Sequence, residues 1–241
     1  MHTTPHDENR KKRFWLTVPF LFLPFVASLF YAIFFDGTPL GTACYIGIKI
    51  FLIGWPIVAT LLFLRERIRF RDRANPGQTG RSILWGSVFA IATLGLMFGL
   101  MQTPLGGLID GYSGSIREFV EGLGVMNHFI LFAVFLSLLH SSMEEFYWRW
   151  FIFGNLRQLV TPGKAMFWAA VGFASHHIVI LSQFFKPEGG ESNLFLAILF
   201  GACVGLGGAV WSWLYHRHGN LWGAWVSHMI IDFGIMWLGW T

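Results

Sequence analysis

Long stretches of apolar side chains, separated by short polar segments, dominate the pattern along the chain. A helix that crosses a bilayer needs about 20 consecutive, mostly apolar residues. Seven stretches meet that requirement: 14–35, 42–64, 82–103, 126–156, 165–185, 193–215 and 220–240. The pattern predicts an all-α fold, a polytopic transmembrane helical bundle of about seven spans.

The fourth stretch is predicted to be a single helix although charged residues interrupt it. Glu144, Glu145 and Arg149 lower its hydropathy, but no Gly or Pro lies between Asn127 and Phe153. Gly and Pro are the residues that most disfavour a helix interior, so their absence favours one continuous helix.

Two glycine-rich segments have different predicted roles. Segment 104–125 is too polar to span a membrane and is expected to form an external loop or a short interfacial helix. Gly201 and Gly205, four residues apart in the sixth stretch, predict close packing against another helix, because small residues let helix backbones approach each other.

Basic residues predict the orientation of the bundle. Cytoplasmic loops of membrane proteins carry an excess of Lys and Arg. Most of the 17 Lys and Arg residues fall in segments 10–13 and 65–81, after the fourth stretch, or before the seventh. The opposite loops contain only Arg117 and Lys186. The sequence therefore predicts an N-in, C-out, multi-pass protein of the cell membrane.

The composition agrees with a membrane protein and excludes several other classes. Charged residues make up 12% of the chain, against about 25% in an ordinary soluble domain, and mean hydropathy is +0.55. Cys44 and Cys203 both lie in apolar stretches, so no disulfide framework is expected. Because the basic residues flank spans, we expect membrane lipid as a partner and no nucleic acid. The oligomeric state is not predicted.

Ionisable residues inside the apolar stretches are the candidate functional residues. A charge at the bilayer centre costs at least about 2.5–3.5 kcal/mol on insertion scales, so such residues are rarely accidental. Lys49 is the lone charge in its stretch, and its long side chain could reach towards the membrane surface. The other candidates lie in the fourth, fifth and seventh stretches: His140, Glu144, Glu145, Arg149, His176, His177, His228 and Asp232.

Helical spacing separates the two glutamates of the fourth stretch. Glu145 and Arg149 are four residues apart and therefore pair along one helix face. Glu144 is rotated by about 100° from Glu145, and His140 lies one turn before it. One carboxylate thus has a local partner while Glu144 is free to act as a general base or acid. The alternative is that both are structural charges in a contact between helices.

Depth along the predicted helices favours one polar site. At 1.5 Å per residue, Glu144, His177, His228 and Asp232 all lie about 12 to 20 Å from the cytoplasmic ends of their helices. Unrelated packing residues have no reason to share a depth. We therefore predict that these side chains meet in the inner half of the bilayer.

The chemistry of such a site is limited by the motifs that the chain lacks. It contains no G-x-S-x-G elbow, H-E-x-x-H zinc motif, G-x-G-x-x-G fingerprint or Walker loop. What remains is activation of water by a carboxylate, with imidazoles that stabilise an oxyanion or hold a metal. The same residues could instead relay protons in a transporter.

Three motifs in this order resemble those of the CPBP intramembrane proteases, which include the type II CAAX prenyl endopeptidases. Residues 144–149 fit E-E-x-x-x-R, residues 173–177 fit F-x-x-x-H, and residues 228–232 fit H-x-x-x-N/D. The resemblance covers roughly 130–235. Together with the charge and hydropathy pattern, it predicts three regions: a basic cytoplasmic N-terminus (1–13), N-terminal membrane helices and loops (14–125), and a CPBP-like catalytic helical core (126–241).

The resemblance implies a role for each motif residue. Glu144 would activate the hydrolytic water with the help of His177, while His228 and Asp232 would stabilise the oxyanion or orient the site. Glu145, Arg149, His140 and His176 would support them.

The resemblance also bears on the cofactor. Asp232 stands where the family's motif commonly has Asn. An ionised Asp would repel an oxyanion, so Asp232 would have to be protonated, act through His228, or bind a metal. No cofactor is required, but His177, His228 and Asp232 could hold a divalent metal such as zinc. We favour the metal-free alternative.

The sequence therefore supports one hypothesis and leaves two others open. The first is an intramembrane endopeptidase that cuts a membrane-associated peptide or protein substrate near the cytoplasmic side of the membrane. The second is a proton-coupled transporter, although the internal repeats that transporters commonly show are missing. The third is a catalytically silent scaffold or immunity protein.

Overall fold

A computed structural model of the protein describes residues 5–70, 76–114, 121, 128–187 and 190–240. The regular structure of these residues is helical and contains no strand, as the apolar pattern predicted. The helices are α1 (Pro5–Thr17), α2 (Leu23–Phe34), α3 (Pro39–Phe63), α4 (Pro76–Met101), α5 (Pro104–Asp110), α6 (Phe129–Leu156), α7 (Pro162–Phe184), α8 (Leu194–His218) and α9 (Trp222–Trp240).

Among the described residues, five helices are long and apolar enough to cross a membrane: α3, α4, α6, α7 and α8. They correspond to five of the seven predicted stretches. The last stretch forms α9, which has 19 residues and is not among these five. Segment 104–125 begins with the short helix α5, and most of its remainder lies outside the described residues.

The prediction that residues 14–35 form one spanning helix is wrong. The chain leaves α1 at Thr17 and begins α2 at Leu23, so the apolar stretch is divided. Pro19 falls in the connection, and Pro24 occupies the first turn of α2. Proline lacks the N–H that a helix interior requires. Helix α2 alone is about 18 Å long, which is less than the roughly 30 Å of a bilayer core.

Helix α6 is continuous across the charged segment, as predicted, and forms the centre of the bundle. Its middle turn, Ser141–Glu145, is α-helical and lies between two π-helical segments, Phe135–His140 and Phe146–Phe153. Such π turns occur frequently at functional sites. The aromatic side chains of Tyr147, Trp148 and Phe151 are fully buried, and α6 contacts α3, α7, α8 and α9.

Glycines allow the helices around α6 to pack closely. A Cβ atom on Gly201 would lie 2.3 Å from Cγ1 of Ile178, and one on Gly205 would lie 3.0 Å from Cβ of Ala174. The close packing predicted for these two glycines of α8 is therefore confirmed, with α7 as the neighbour. Helix α9 approaches α4 in the same way, since a Cβ on Gly223 would lie 2.2 Å from the carbonyl oxygen of Ser82.

Several basic segments lie together at one end of the bundle. The Arg10 side chain donates a hydrogen bond to the Leu159 carbonyl oxygen at 3.1 Å. The buried Arg13 donates to Asn155, at the end of α6, and to Glu66, after α3. We call the end of the bundle that contains Arg10, Arg13 and the end of α6 the basic end. Its contacts place the N-terminal helix, the segment after α3 and the end of α6 on the same side, as the loop-charge argument requires.

Candidate active site

The carboxylate of Glu144 lies at the middle of α6 and is almost fully buried, at 2% exposure. Three imidazoles surround it. The Nε2 atom of His140 is 3.2 Å from its Oε1, and Nε2 of His176 is 3.4 Å from the same oxygen. The Nε2 atom of His228 is 3.7 Å from Oε2. Helices α6, α7 and α9 therefore converge on one carboxylate.

The two oxygens of Glu144 have different surroundings. Oε1 lies within hydrogen-bonding distance of two ring nitrogens, and these contacts fix the carboxylate plane. The contact of Oε2 with His228 is longer than an ordinary N–H···O hydrogen bond. Oε2 is consequently the oxygen better placed to accept a proton from another molecule. The sequence argument left Glu144 without a fixed partner, and the structure shows that it has several.

Glu145 pairs with Arg149, as helical spacing predicted, at 3.2 Å between Oε2 and Nε. Both side chains are 1% exposed. The Arg149 guanidinium lies 4.4 Å from the ring centre of Phe173 and 4.9 Å from that of Trp211. A Cβ on Gly208 would be 3.0 Å from an Arg149 terminal nitrogen, so a side chain at residue 208 would disturb this arrangement.

Glu145 has a second contact that spacing along α6 did not reveal. Its Oε1 lies 2.9 Å from Nδ1 of His228 in α9. A carboxylate only accepts hydrogen bonds, so the ring carries a proton on Nδ1. The imidazole also stacks on Trp211, with ring centres 4.1 Å apart and planes at 16°. Glu145 and Trp211 together fix the orientation of His228.

His176 and His177 both reach the site, in different ways. The His176 ring stacks on Trp148 at 5.6 Å with parallel planes, 4° apart, and directs Nε2 to Glu144. The Nδ1 atom of His177 is 2.9 Å from the Phe173 carbonyl oxygen, which leaves Nε2 as its remaining ring nitrogen. The F-x-x-x-H spacing favoured His177 over His176 as the site histidine. In the structure, it is His176 that contacts Glu144 directly.

Asp232 lies at the more accessible edge of the cluster. Its Oδ1 is 3.6 Å from Nε2 of His228, one helical turn away, and its side chain is 22% exposed. The spacing argument had placed this pair on one face of the seventh stretch, and it is found there. By comparison, the His228 side chain is 5% exposed and that of Glu144 is 3% exposed. The greater exposure of Asp232 indicates that the site is accessible from the side on which Asp232 lies.

One group of described residues has a geometry suitable for a metal ion. Glu144, His176 and His177 each offer a ligand atom, and the three atoms lie within 4.8 Å of one another. The sequence had suggested His177, His228 and Asp232 instead. Two imidazoles and a carboxylate are the protein ligands of several catalytic zinc sites, which leave a fourth position for water. The donor set therefore fits such an ion.

Sequence reasoning underestimated Lys49. Its Nζ atom is 3.3 Å from Nδ1 of His140, so it joins the polar cluster from α3. Its position as the lone charge of a spanning stretch was a signal. Periodicity within one helix, however, cannot identify a partner on another helix.

Comparison with known proteins shows that the site lies in the part of the chain that matches a protein-family model. Residues 126–234 match the family model described as Type II CAAX prenyl endopeptidase Rce1-like. No curated protein and no solved structure matches the chain significantly. The matched region contains α6, α7, α8 and α9 as far as residue 234, and therefore every predicted site residue, whereas Lys49 lies outside it.

The match and the five apolar helices indicate an integral membrane protein. At the level of the family, the match implies a peptide hydrolase. Residues 126–234 of this chain are therefore similar to the Rce1-like type II CAAX prenyl endopeptidases, in agreement with the resemblance of its three motifs to the CPBP proteases.

Proposed function

We propose that this protein is an intramembrane endopeptidase in which Glu144 activates a water molecule to hydrolyse a peptide bond. The main support is the convergence of three imidazoles on one buried carboxylate, within the region that matches the protease family. A general base must lie within hydrogen-bond reach of the water that it deprotonates. Glu144 has an oxygen available for that contact.

In the proposed first step, Oε2 of Glu144 removes a proton from water while the water oxygen attacks the scissile carbonyl carbon. His140 and His176 hold Oε1, so the carboxylate does not rotate away from the water. His177 uses Nε2 to orient the water, because its Nδ1 is engaged by the Phe173 carbonyl. Glu144 then returns the proton to the leaving amine, which completes hydrolysis.

His228 is proposed to stabilise the oxyanion that forms in this step. Donors aimed at a developing negative charge are among the largest contributors to catalysis. The contact with Glu145 supports the ring when both its nitrogens carry protons, and Nε2 then donates to the oxyanion. Asp232, whose Oδ1 lies 3.6 Å from Nε2 of His228, acts through the charge of that ring, because its own carboxylate would repel a negative oxygen.

The substrate is proposed to be a peptide or protein in the inner half of the membrane. Glu144 lies about 18 Å along α6 from the basic end of the bundle, which we assign to the cytoplasm from its Arg and Lys content. This assignment corresponds to an N-in, C-out protein of the cell membrane. A membrane-associated chain would reach the site from the side marked by Asp232.

The proposal is tested by the Glu144→Gln variant. Membrane proteomes of cells with and without the protein would first identify a shifted terminus, and a peptide spanning that position then becomes the substrate. Because Gln cannot accept the proton, we expect the purified variant in nanodiscs to lose at least about 100-fold in kcat. Glu8→Gln, at an exposed position of α1, serves as the matched control. Full activity of Glu144→Gln would refute the proposal.

A zinc ion held by Glu144, His176 and His177 would supply Lewis-acid activation of water, and Glu144 would be a ligand rather than the base. We propose the metal-free mechanism because Oε1 of Glu144 is already engaged by the ring nitrogens of His140 and His176. We therefore expect activity to persist in phenanthroline and the purified protein to contain no stoichiometric zinc. Loss of activity with restoration by zinc would overturn the metal-free mechanism but not the proteolysis.

A further inference from the structure

A polar chain runs from α3 to the proposed base. The Nζ atom of Lys49 is 3.3 Å from Nδ1 of His140, and Nε2 of His140 is 3.2 Å from Oε1 of Glu144. We propose that Lys49 is a positioning residue that acts through His140 to hold Glu144 in the orientation required for water activation. This inference rests on the proposed endopeptidase function and extends its site beyond the region that matches the family.

The end groups fix the direction of the hydrogen bonds along this chain. An amine has N–H groups to donate, whereas a carboxylate only accepts. His140 therefore accepts from Lys49 at Nδ1 and donates to Glu144 from Nε2. Two contacts on opposite sides of the ring fix both its plane and its tautomer. With Glu144 alone as a partner, the ring could still turn about its side-chain bonds.

The location of Lys49 agrees with this role and argues against a side chain that reaches the membrane surface. Lys49 lies about 15 Å from the start of α3 and about 21 Å from its end, farther than a lysine side chain extends. Its Nζ atom is also 5.1 Å from the ring centre of Tyr45, a contact that partly replaces water around the amine. The amine of Lys49 is thus directed into the bundle, where His140 is one of its described neighbours.

The expected consequence for catalysis is specific. Without Lys49, the His140 ring loses one of its two anchors, and Oε1 of Glu144 loses a fixed donor. Oε2 is then less often directed towards the water. Because Lys49 acts on the orientation of Glu144, the change should lower kcat and leave KM nearly unaltered.

The kinetic test compares Lys49→Met with Lys49→Arg, using the peptide substrate identified above. We expect Lys49→Met to lower kcat by about tenfold or more, the effect of losing one buried charge-assisted hydrogen bond, with KM within about twofold. Lys49→Arg keeps the donors and should recover most of the activity. Lys164→Met, at an exposed position of α7, is the matched control. If Lys49→Met is not recovered as folded protein, Lys49→Gln replaces it.

A double variant tests whether the effect passes through His140. Lys49 is proposed to act on Glu144 only through His140. Lys49→Met should therefore cause no further loss of kcat in a His140→Phe background. A full additional loss in that background would refute the coupling. Equal kcat for Lys49→Met and the wild type would overturn the proposal, as would a loss explained by a lower melting temperature.

A spectroscopic measurement tests the contact independently of turnover. In protein with ¹⁵N-labelled histidine, we expect His140 to show a protonated Nε2 and a Nδ1 that accepts a hydrogen bond, and the Nδ1 resonance to shift in Lys49→Met. An unshifted Nδ1 would refute the Lys49–His140 contact even if Glu144 is the base. Conversely, an active Glu144→Gln variant would refute the endopeptidase mechanism whatever the result for His140.

Discussion

Arg149→Met should destabilise the protein strongly, because it removes the cation that balances Glu145 in the interior. Both side chains are 1% exposed and in contact at 3.2 Å. Removing one partner of a buried pair costs about 3–5 kcal/mol, since it leaves an uncompensated charge. The guanidinium also loses its positions against Phe173 and Trp211. Each such contact is worth about 2 kcal/mol when it is desolvated, although methionine packing recovers part of this.

The destabilisation becomes smaller when the charge of Glu145 is also removed. In the double variant Glu145→Gln/Arg149→Met, the introduced amide keeps an oxygen that accepts from Nδ1 of His228, and it leaves no buried charge. We expect the double variant to recover at least half of the stability that Arg149→Met alone loses.

Unfolding in mixed micelles with increasing SDS would measure these differences. Arg67→Met, at an exposed position of the segment after α3, serves as the control and should change stability by less than about 0.5 kcal/mol. A cost of less than about 1 kcal/mol for Arg149→Met would contradict a buried ion pair at this position, as would a double variant no more stable than the single one.

Two further predictions concern packing and orientation. Gly223→Ala should cost about 1–3 kcal/mol, measured by the same unfolding assay, because its Cβ would lie 2.2 Å from the Ser82 carbonyl oxygen, whereas Gly47→Ala has open space and should be neutral. Equal stabilities of these two variants would contradict the packing of α9 against α4. In a background with both native cysteines replaced by Ser, a cysteine at Gln158 should be labelled by an impermeant maleimide only from the cytoplasmic side. A cysteine at Glu191 should be labelled only from the opposite side, and the reverse pattern would refute the N-in orientation.

The charged residues of α6 show how far reasoning within one helix extends. The Glu145–Arg149 pair follows from a spacing of four residues, which brings side chains onto one face of a helix. The His228–Asp232 pair follows from the same rule. The contact of Glu145 with His228 does not, because it joins α6 to α9 and depends on how far each helix is rotated towards the other.

The apolar pattern predicted helices better than it predicted spans. Window hydropathy counts side chains, so it treated residues 14–35 as one stretch although Pro19 and Pro24 divide it between α1 and α2. It also accepted 220–240, where α9 combines apolar residues with two polar site residues. The five helices found long and apolar enough to span include α3, although Pro56 lies inside it, and α6, although it contains Glu144, Glu145 and Arg149.

The sequence by itself determined that the chain is helical and where the ionisable residues of its interior lie. Hydrophobic periodicity and the cost of a charge in lipid both act along a single helix. Only the tertiary structure decided which residues touch: His176 on Glu144, Glu145 on His228, and Lys49 on His140. These contacts depend on the relative rotation and depth of separate helices, and those are set by packing at residues such as Gly201 and Gly223 rather than by the motifs themselves.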